Sequence, residues 1–103
     1  MAISTETALD TPTTGVAAGN EFQVLNRPVT ICLDGASLGD VVARLQRYTA
    51  AGNWIDQYDD NGAIDLSATR TSEIVWGGGA YRLNYTTRGS SVGSSATSGP
   101  GGR

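Results

Sequence analysis

The chain has 103 residues and a formal charge of −3, from ten acidic and seven basic residues, and it contains one Cys and no His. The length allows one domain, and the composition excludes Ser–His and Cys–His nucleophilic sites, internal disulfides and Cys-based zinc fingers. An acidic chain whose basic residues are all Arg has no electrostatic case for binding nucleic acid or membrane lipids, so neither is expected as a partner.

The two ends of the chain differ from the middle in composition. Residues 1–20 are mostly Thr, Ala and Gly with isolated apolar residues, which predicts an extended, flexible N-terminal arm. Residues 90–103 are mostly Ser and Gly. Such a segment cannot bury enough apolar surface to offset its ordering entropy, so we predict a disordered tail. Residues 21–89 remain as the packed domain.

The apolar content of the predicted domain begins with Phe22 and Val24. Between residues 29 and 33 apolar side chains occupy every second position, as they do in a half-buried strand. The pair Asp34-Gly35 ends this run because both residues favour turns.

Residues 37–52 fit two different structures. Their apolar residues have helical spacing, the segment begins with a sequence that resembles a capping box, and Gly52 would end the helix. In the alternative, Val41, Ala43 and Leu45 lie on one face of a strand, residues 50–53 form a hairpin loop, and Trp54 begins the return strand. Because the neighbouring elements are short and β-like, we favour the strand.

The remaining strand signals lie between two turns and the C-terminal tail. A short strand around residues 64–66 follows the polar turn at residues 59–62, and residues 81–85 alternate again after a run of three Gly. We therefore predict an all-β fold, a small antiparallel β-sandwich or jelly-roll-like domain with flexible N- and C-terminal segments. The predicted core consists of Val29, Ile31, Leu33, Leu45, Trp54, Leu66, Leu83 and Tyr85.

Few residues are candidates for metal binding or catalysis. Asp56, Asp59, Asp60 and Asn61 supply oxygen ligands beside a Gly turn, but their spacing is not that of a calcium-binding loop and favours a solvated turn. The single Cys32 has no His to activate it and is expected to be a small packed side chain. We expect no catalytic residue, no cofactor and no metal.

Aromatic residues allow two interpretations. They could form a platform on which sugars stack, or most of them could fill the core of a small domain, which we favour. The residues concerned are Trp54, Tyr58, Trp76, Tyr81 and Tyr85.

Two segments resemble a family of small virion proteins of tailed bacteriophages. One contains Leu45-Gln46-Arg47, a Gly-containing hairpin with Gly52, and Trp54; the other contains Tyr81-Arg82-Leu83. The resemblance spans residues 35–87, and it implies a non-enzymatic structural protein of the virion. The best expectation is a capsid decoration, or cement, protein on the capsid exterior that binds and stabilises the major coat protein lattice.

This assignment predicts the partners as the major capsid protein, further copies of the chain in a dimer or trimer, or both. The N-terminal segment is the expected contact, with Ile3, Leu9 and Val16 as apolar anchors, whereas deletion of residues 90–103 should matter little. The alternative function is a carbohydrate-binding or adhesion module of a phage fibre, a phage tail or a cell-surface protein.

Overall fold

The structure, a computed structural model, describes residues 6–98. In this range the chain forms twelve β-strands and no helix, so the predicted all-β class is confirmed. The strands are β1 Glu6–Thr13, β2 Ala17–Ala18, β3 Phe22–Val24, β4 Val29–Asp34, β5 Val42–Tyr48, β6 Trp54–Asp56, β7 Tyr58–Asp59, β8 Gly62–Ala63, β9 Asp65–Ser67, β10 Ser72–Val75, β11 Gly79–Thr87 and β12 Val92–Ser98.

Two antiparallel sheets pack against each other. The first has the strand order β1-β12-β4-β10. In the second, β11 pairs with β5, while β2 and β3 pair in turn with the outer side of β11, and β6 and β9 with the outer side of β5. The short hairpin of β7 and β8 joins β6 to β9. The strands reduce to eight positions in chain order when β2 and β3 together count as the second position and β6 to β9 as the fifth. In this numbering the strand order is 1-8-3-6 in the first sheet and 2-7-4-5 in the second. This is the strand order of a double-sheet jelly roll.

The hydrophobic core lies between the sheets, and alternate positions of the inner strands supply it. Seven of the eight predicted core residues are buried, because the alternation of apolar residues in β4, β5 and β11 matches the two faces of each strand. The buried apolar residues are Phe22, Val24, Val29, Ile31, Leu33, Val41, Ala43, Leu45, Leu66, Val75, Tyr81, Leu83, Tyr85 and Val92.

Trp54 is the exception among the predicted core residues. It begins the return strand as expected, but its side chain is only half-buried and lies on the outward face of the second sheet, opposite Tyr48. The face is set by strand register: Ala43 and Leu45 of β5 point into the core, so Tyr48 and its partner Trp54 point outward.

The ambiguous segment at residues 37–52 is a strand and not a helix. Gly39 has a φ of +57°, and the amide of Val41 donates to the carbonyl oxygen of Leu38 at 3.1 Å, so the sequence that resembles a capping box forms a turn. β5 then pairs with neighbours on both sides, and its hairpin closes through Gly52 at a φ of +88°. Pairing on both sides outweighs the helical spacing.

The domain is larger than the predicted residues 21–89. β1 and β12 both lie outside these limits, and β12 is an inner strand, bonded to β1 on one side and to β4 on the other. The expectation of flexible ends is therefore wrong for these two strands. Residues 1–5 and 99–103 lie outside the described part of the chain.

Small side chains let β12 occupy this position. A Cβ atom at Gly93 would collide with the carbonyl oxygen of Asp10 and would lie 2.7 Å from the nitrogen of Pro12. Backbone hydrogen bonds to two neighbouring strands order the segment. Such bonds do not require apolar side chains, so the hydrophobic pattern of the sequence does not reveal them.

Candidate functional site

The three anchors predicted from the sequence are in different environments. Leu9 is half-buried and packs against the core, so it stabilises the fold. Val16 is exposed, in the stretch between β1 and β2. Ile3 lies outside the described residues. The structure thus leaves Val16 as the predicted anchor whose side chain is free on the described surface.

The N-terminal strand is instead held by a buried carboxylate. Asp10 is only 6% exposed. Its Oδ2 accepts hydrogen bonds from the hydroxyl groups of Tyr85 and Ser94, both at 2.8 Å, and its Oδ1 accepts one from the amide of Asn20 at 2.7 Å. Burial raises the pKa of Tyr85 well above its ordinary value. The Tyr85 hydroxyl therefore stays protonated and acts as a hydrogen-bond donor at neutral pH.

Arg88 completes this buried cluster. Its guanidinium carbon lies 4.0 Å from the centre of the Tyr85 ring, while Nε donates to the carbonyl oxygen of Gly15 at 2.8 Å and Nη1 to that of Val92 at 3.1 Å. The cluster connects both sheets with the stretch after β1. Among the described residues, no buried side-chain nitrogen or oxygen lacks a hydrogen-bond partner, and we assign the cluster a structural role.

Neither Cys32 nor the turn at residues 59–62 has the surroundings of a reactive nucleophile or a metal site. Cys32 lies half-buried on β4, and burial, followed by the charges of Glu6 and Asp34, raises the pKa of its thiol. A protonated thiol is a poor nucleophile. In the turn, Asp59 accepts hydrogen bonds from the amide of Asn61 and from Arg70. Residues 6–98 contain no group of three or more His, Cys, Asp or Glu side chains that could hold a metal ion.

Two exposed apolar side chains lie at one end of the jelly roll. Leu25, directly after β3, is 75% exposed, and Trp76, directly after β10, is 68% exposed. The strand pairings place both at the same end, since Val24 pairs with Gly79 and Val75 with Val29. The loop containing Trp76 passes close to Leu25, because a Cβ atom at Gly78 would lie 4.0 Å from the Leu25 carbonyl oxygen. We call Leu25 and Trp76 the apolar end.

The outward face of the second sheet carries a network of charged and amide side chains. Arg44 donates to both carboxylate oxygens of Asp65 at 2.8 and 3.1 Å, and to Asp56 at 3.4 Å. Gln46 donates to Asp56 at 2.9 Å and accepts a hydrogen bond from Nε of Arg82 at 2.8 Å. These bonds run across β9, β5, β6 and β11, so they hold the side chains of this face in fixed positions.

An aromatic pair borders the network. The ring centres of Tyr48 and Trp54 are 4.9 Å apart, and the guanidinium carbon of Arg82 lies 4.4 Å from the centre of the Trp54 ring. Tyr48 is 46% exposed. We call Tyr48, Trp54 and Arg82 the aromatic–arginine face. It combines apolar ring surface with hydrogen-bond donors, as binding sites for polar ligands do.

Sequence reasoning predicted some of these features and missed others. The sequence indicated Trp54 and Trp76 as aromatic candidates, but Trp54 was expected in the core. It gave no role to Asp10 or Arg82, and the donors that surround Asp10 lie 10, 75 and 84 positions away along the chain. The one available signal was that Arg82 has the opposite strand parity to Tyr81 and Leu83, which predicts an outward side chain.

No helix in residues 6–98 has the length and apolar character needed to cross a membrane. Comparisons of the chain with protein-family models, with curated proteins and with solved structures found no match.

Proposed function

We propose that this chain is a structural protein of a tailed-bacteriophage virion, a decoration protein that binds the major capsid protein on the capsid exterior and stabilises the coat lattice. The observation that carries the proposal is the apolar end. A Trp and a Leu that are each about two-thirds exposed or more, on loops at the same end of the domain, are unfavourable in water, and their burial in a protein interface is favourable.

Two further features support a virion role. The resemblance of residues 35–87 to small virion proteins was the first. The double-sheet jelly roll is the second, because this architecture serves viral capsid proteins as well as lectin domains. Many unrelated functions share one fold, so the exposed surface carries the functional evidence.

The sheet edges favour the coat protein over further copies of the chain as the partner. β1 contains two register shifts and Pro12, which cannot donate a ladder hydrogen bond. On the outer edges of the second sheet, the strand pairs are short and interrupted. β10 has four residues, and its Glu73 is held by Arg70 at 2.6 Å. Such devices protect sheet edges from pairing with other chains, so these edges do not favour edge-to-edge self-association.

Co-sedimentation with capsid shells tests the proposal. The shells are purified from the phage that encodes the chain and stripped of it, and the purified chain is added back. Trp76→Ala and Leu25→Ala should each weaken binding about tenfold or more, because truncation of a buried interface anchor costs ~2 kcal/mol.

Tyr58→Ala is the matched control, because Tyr58 is 66% exposed but lies on the β7–β8 hairpin. This variant should bind like the parent chain. If Trp76→Ala and Leu25→Ala also bind like the parent, or if mass spectrometry finds the chain only in tails, the proposal is wrong.

A further inference from the structure

We propose that the aromatic–arginine face is a second binding site, and that its ligand is an oligosaccharide that carries a carboxylate. The site lies on the outward face of the second sheet and not on the loops of the apolar end. This inference is independent of capsid binding, and either proposal can fail without the other.

Arg82 supplies the charge recognition. Its Nε is engaged by Gln46, and its guanidinium lies against the Trp54 ring. In the part of the chain that the structure describes, its two terminal nitrogens have no acceptor and no carboxylate pairs with it. By contrast, Arg44 on the same face is bonded to both Asp56 and Asp65. Arg82 therefore presents a fixed, uncompensated pair of N–H donors, the geometry that binds a planar carboxylate with two parallel bonds.

Tyr48 and Trp54 supply the surface for a sugar ring. The face of an aromatic ring is electronegative, so it attracts the partially positive C–H groups of a pyranose as well as excluding water from them. Tyr48 is accessible, and its ring contacts that of Trp54, over which the guanidinium of Arg82 lies. A ligand ring on this aromatic pair would bring its carboxylate within reach of the guanidinium.

The polar groups beside the rings suit hydroxyl groups. Asp56 keeps free lone pairs after its bonds to Arg44 and Gln46, because each carboxylate oxygen can accept two hydrogen bonds. The side-chain amide of Asn84, two residues after Arg82 on β11, makes no hydrogen bond within residues 6–98. From Tyr48 to Arg44 the face extends for roughly 13 Å at ~3.3 Å per residue, a length suited to an extended chain of sugars and not to one ring.

Other ligand classes fit this face less well. A nucleic acid needs several cations along its backbone, and Arg82 is the one arginine on this face that no carboxylate compensates among the described residues. A peptide strand would need an unpaired sheet edge, whereas β5 and β11 are inner strands with neighbours on both sides.

Single-tryptophan proteins allow a direct test, because the chain has two Trp residues and they lie on the two different surfaces. Trp76→Phe leaves Trp54 as the fluorescent reporter, and Trp54→Phe leaves Trp76. Each is titrated with a glucuronate-containing tetrasaccharide, with a neutral tetrasaccharide and with sodium acetate. The acidic tetrasaccharide should change the emission of Trp54 and leave that of Trp76 unchanged.

Substitutions at the site separate charge from stacking. In the Trp76→Phe background, Arg82→Gln should weaken binding of the acidic sugar about tenfold and remove its advantage over the neutral sugar, since a charge-assisted pair is lost. Tyr48→Ala should weaken binding of both sugars, and Tyr58→Ala should change neither. Circular dichroism and thermal unfolding confirm that each variant is folded.

The remaining outcomes contradict the proposal. If acetate competes as well as the acidic tetrasaccharide, the face is only an anion contact. If the neutral sugar binds equally well, or if Arg82→Gln binds like its parent, the carboxylate is not recognised. If no sugar changes Trp54 emission, and calorimetry on the full chain detects no binding either, the site does not exist.

Discussion

The hydroxyl group of Tyr85 donates a hydrogen bond of 2.8 Å to Oδ2 of Asp10, and this bond joins residues 75 positions apart. Tyr85 lies on β11 of the second sheet, and Asp10 lies on β1 at the edge of the first. Because the Ser94 hydroxyl donates to the same oxygen, three strands from both sheets meet at one carboxylate. The bond fastens the N-terminal strand to the centre of the protein.

Tyr85→Phe should lower the free energy of unfolding by about 1.5–3 kcal/mol, the range for a buried hydrogen bond to a charged group. The substitution keeps the ring and its contact with Arg88. Urea unfolding at neutral pH measures the effect. The control is Tyr58→Phe, which removes an exposed hydroxyl and should change stability by less than about 0.5 kcal/mol. Equal stability of the two variants would contradict a role for this bond.

Alkaline pH should weaken the same contact. Burial, with the hydrogen bond to Asp10, raises the pKa of Tyr85 above its ordinary value of 10.0. The folded state then keeps a proton that the unfolded chain has lost, so this contribution is fully present below pH 10 and declines as the pH rises further.

Urea unfolding across a range of pH values measures this decline. Cys32 also has a raised pKa, so both proteins compared should carry Cys32→Ser. The stability difference between the parent and Tyr85→Phe should be constant near neutrality and should shrink above a pH of about 10. A difference that stays constant into the alkaline range would contradict the prediction.

Deletion of residues 90–103 should unfold the protein, in contrast to the expectation from sequence. It removes β12, and the first sheet would lose the strand that links β1 to β4. Far-ultraviolet circular dichroism and two-dimensional NMR measure the loss of structure. Deletion of residues 99–103 removes no described strand and is the control. A folded product of the longer deletion would show that β12 is dispensable.

Leu83→Ala should destabilise the protein by about 2–5 kcal/mol, because Leu83 is fully buried in the core. Leu25→Ala makes the same chemical change at an exposed position and should cost less than about 0.5 kcal/mol. Chemical unfolding of the two variants provides the comparison. Similar losses for both would mean that Leu25 is also covered in the isolated chain, and the apolar end would then no longer be a free surface.

The amino-acid sequence by itself determined the β class and most of the core. Alternation in residues 29–33 and 81–85 specifies two strands and their inward faces, since successive side chains of a strand point to opposite sides. The Gly-containing hairpin before Trp54 is also readable locally, because Gly52 adopts the positive φ that such a turn requires.

Tertiary structure alone decided the boundaries and the candidate sites. The Ser- and Gly-rich β12 is ordered by backbone bonds to strands that are distant in sequence, and these bonds do not depend on side-chain hydrophobicity. Asp10 is buried because its donors converge from three other segments. Trp54 lies outside the core because register, and not hydrophobicity, sets its face. Each of these features depends on long-range pairing, which local sequence patterns do not encode.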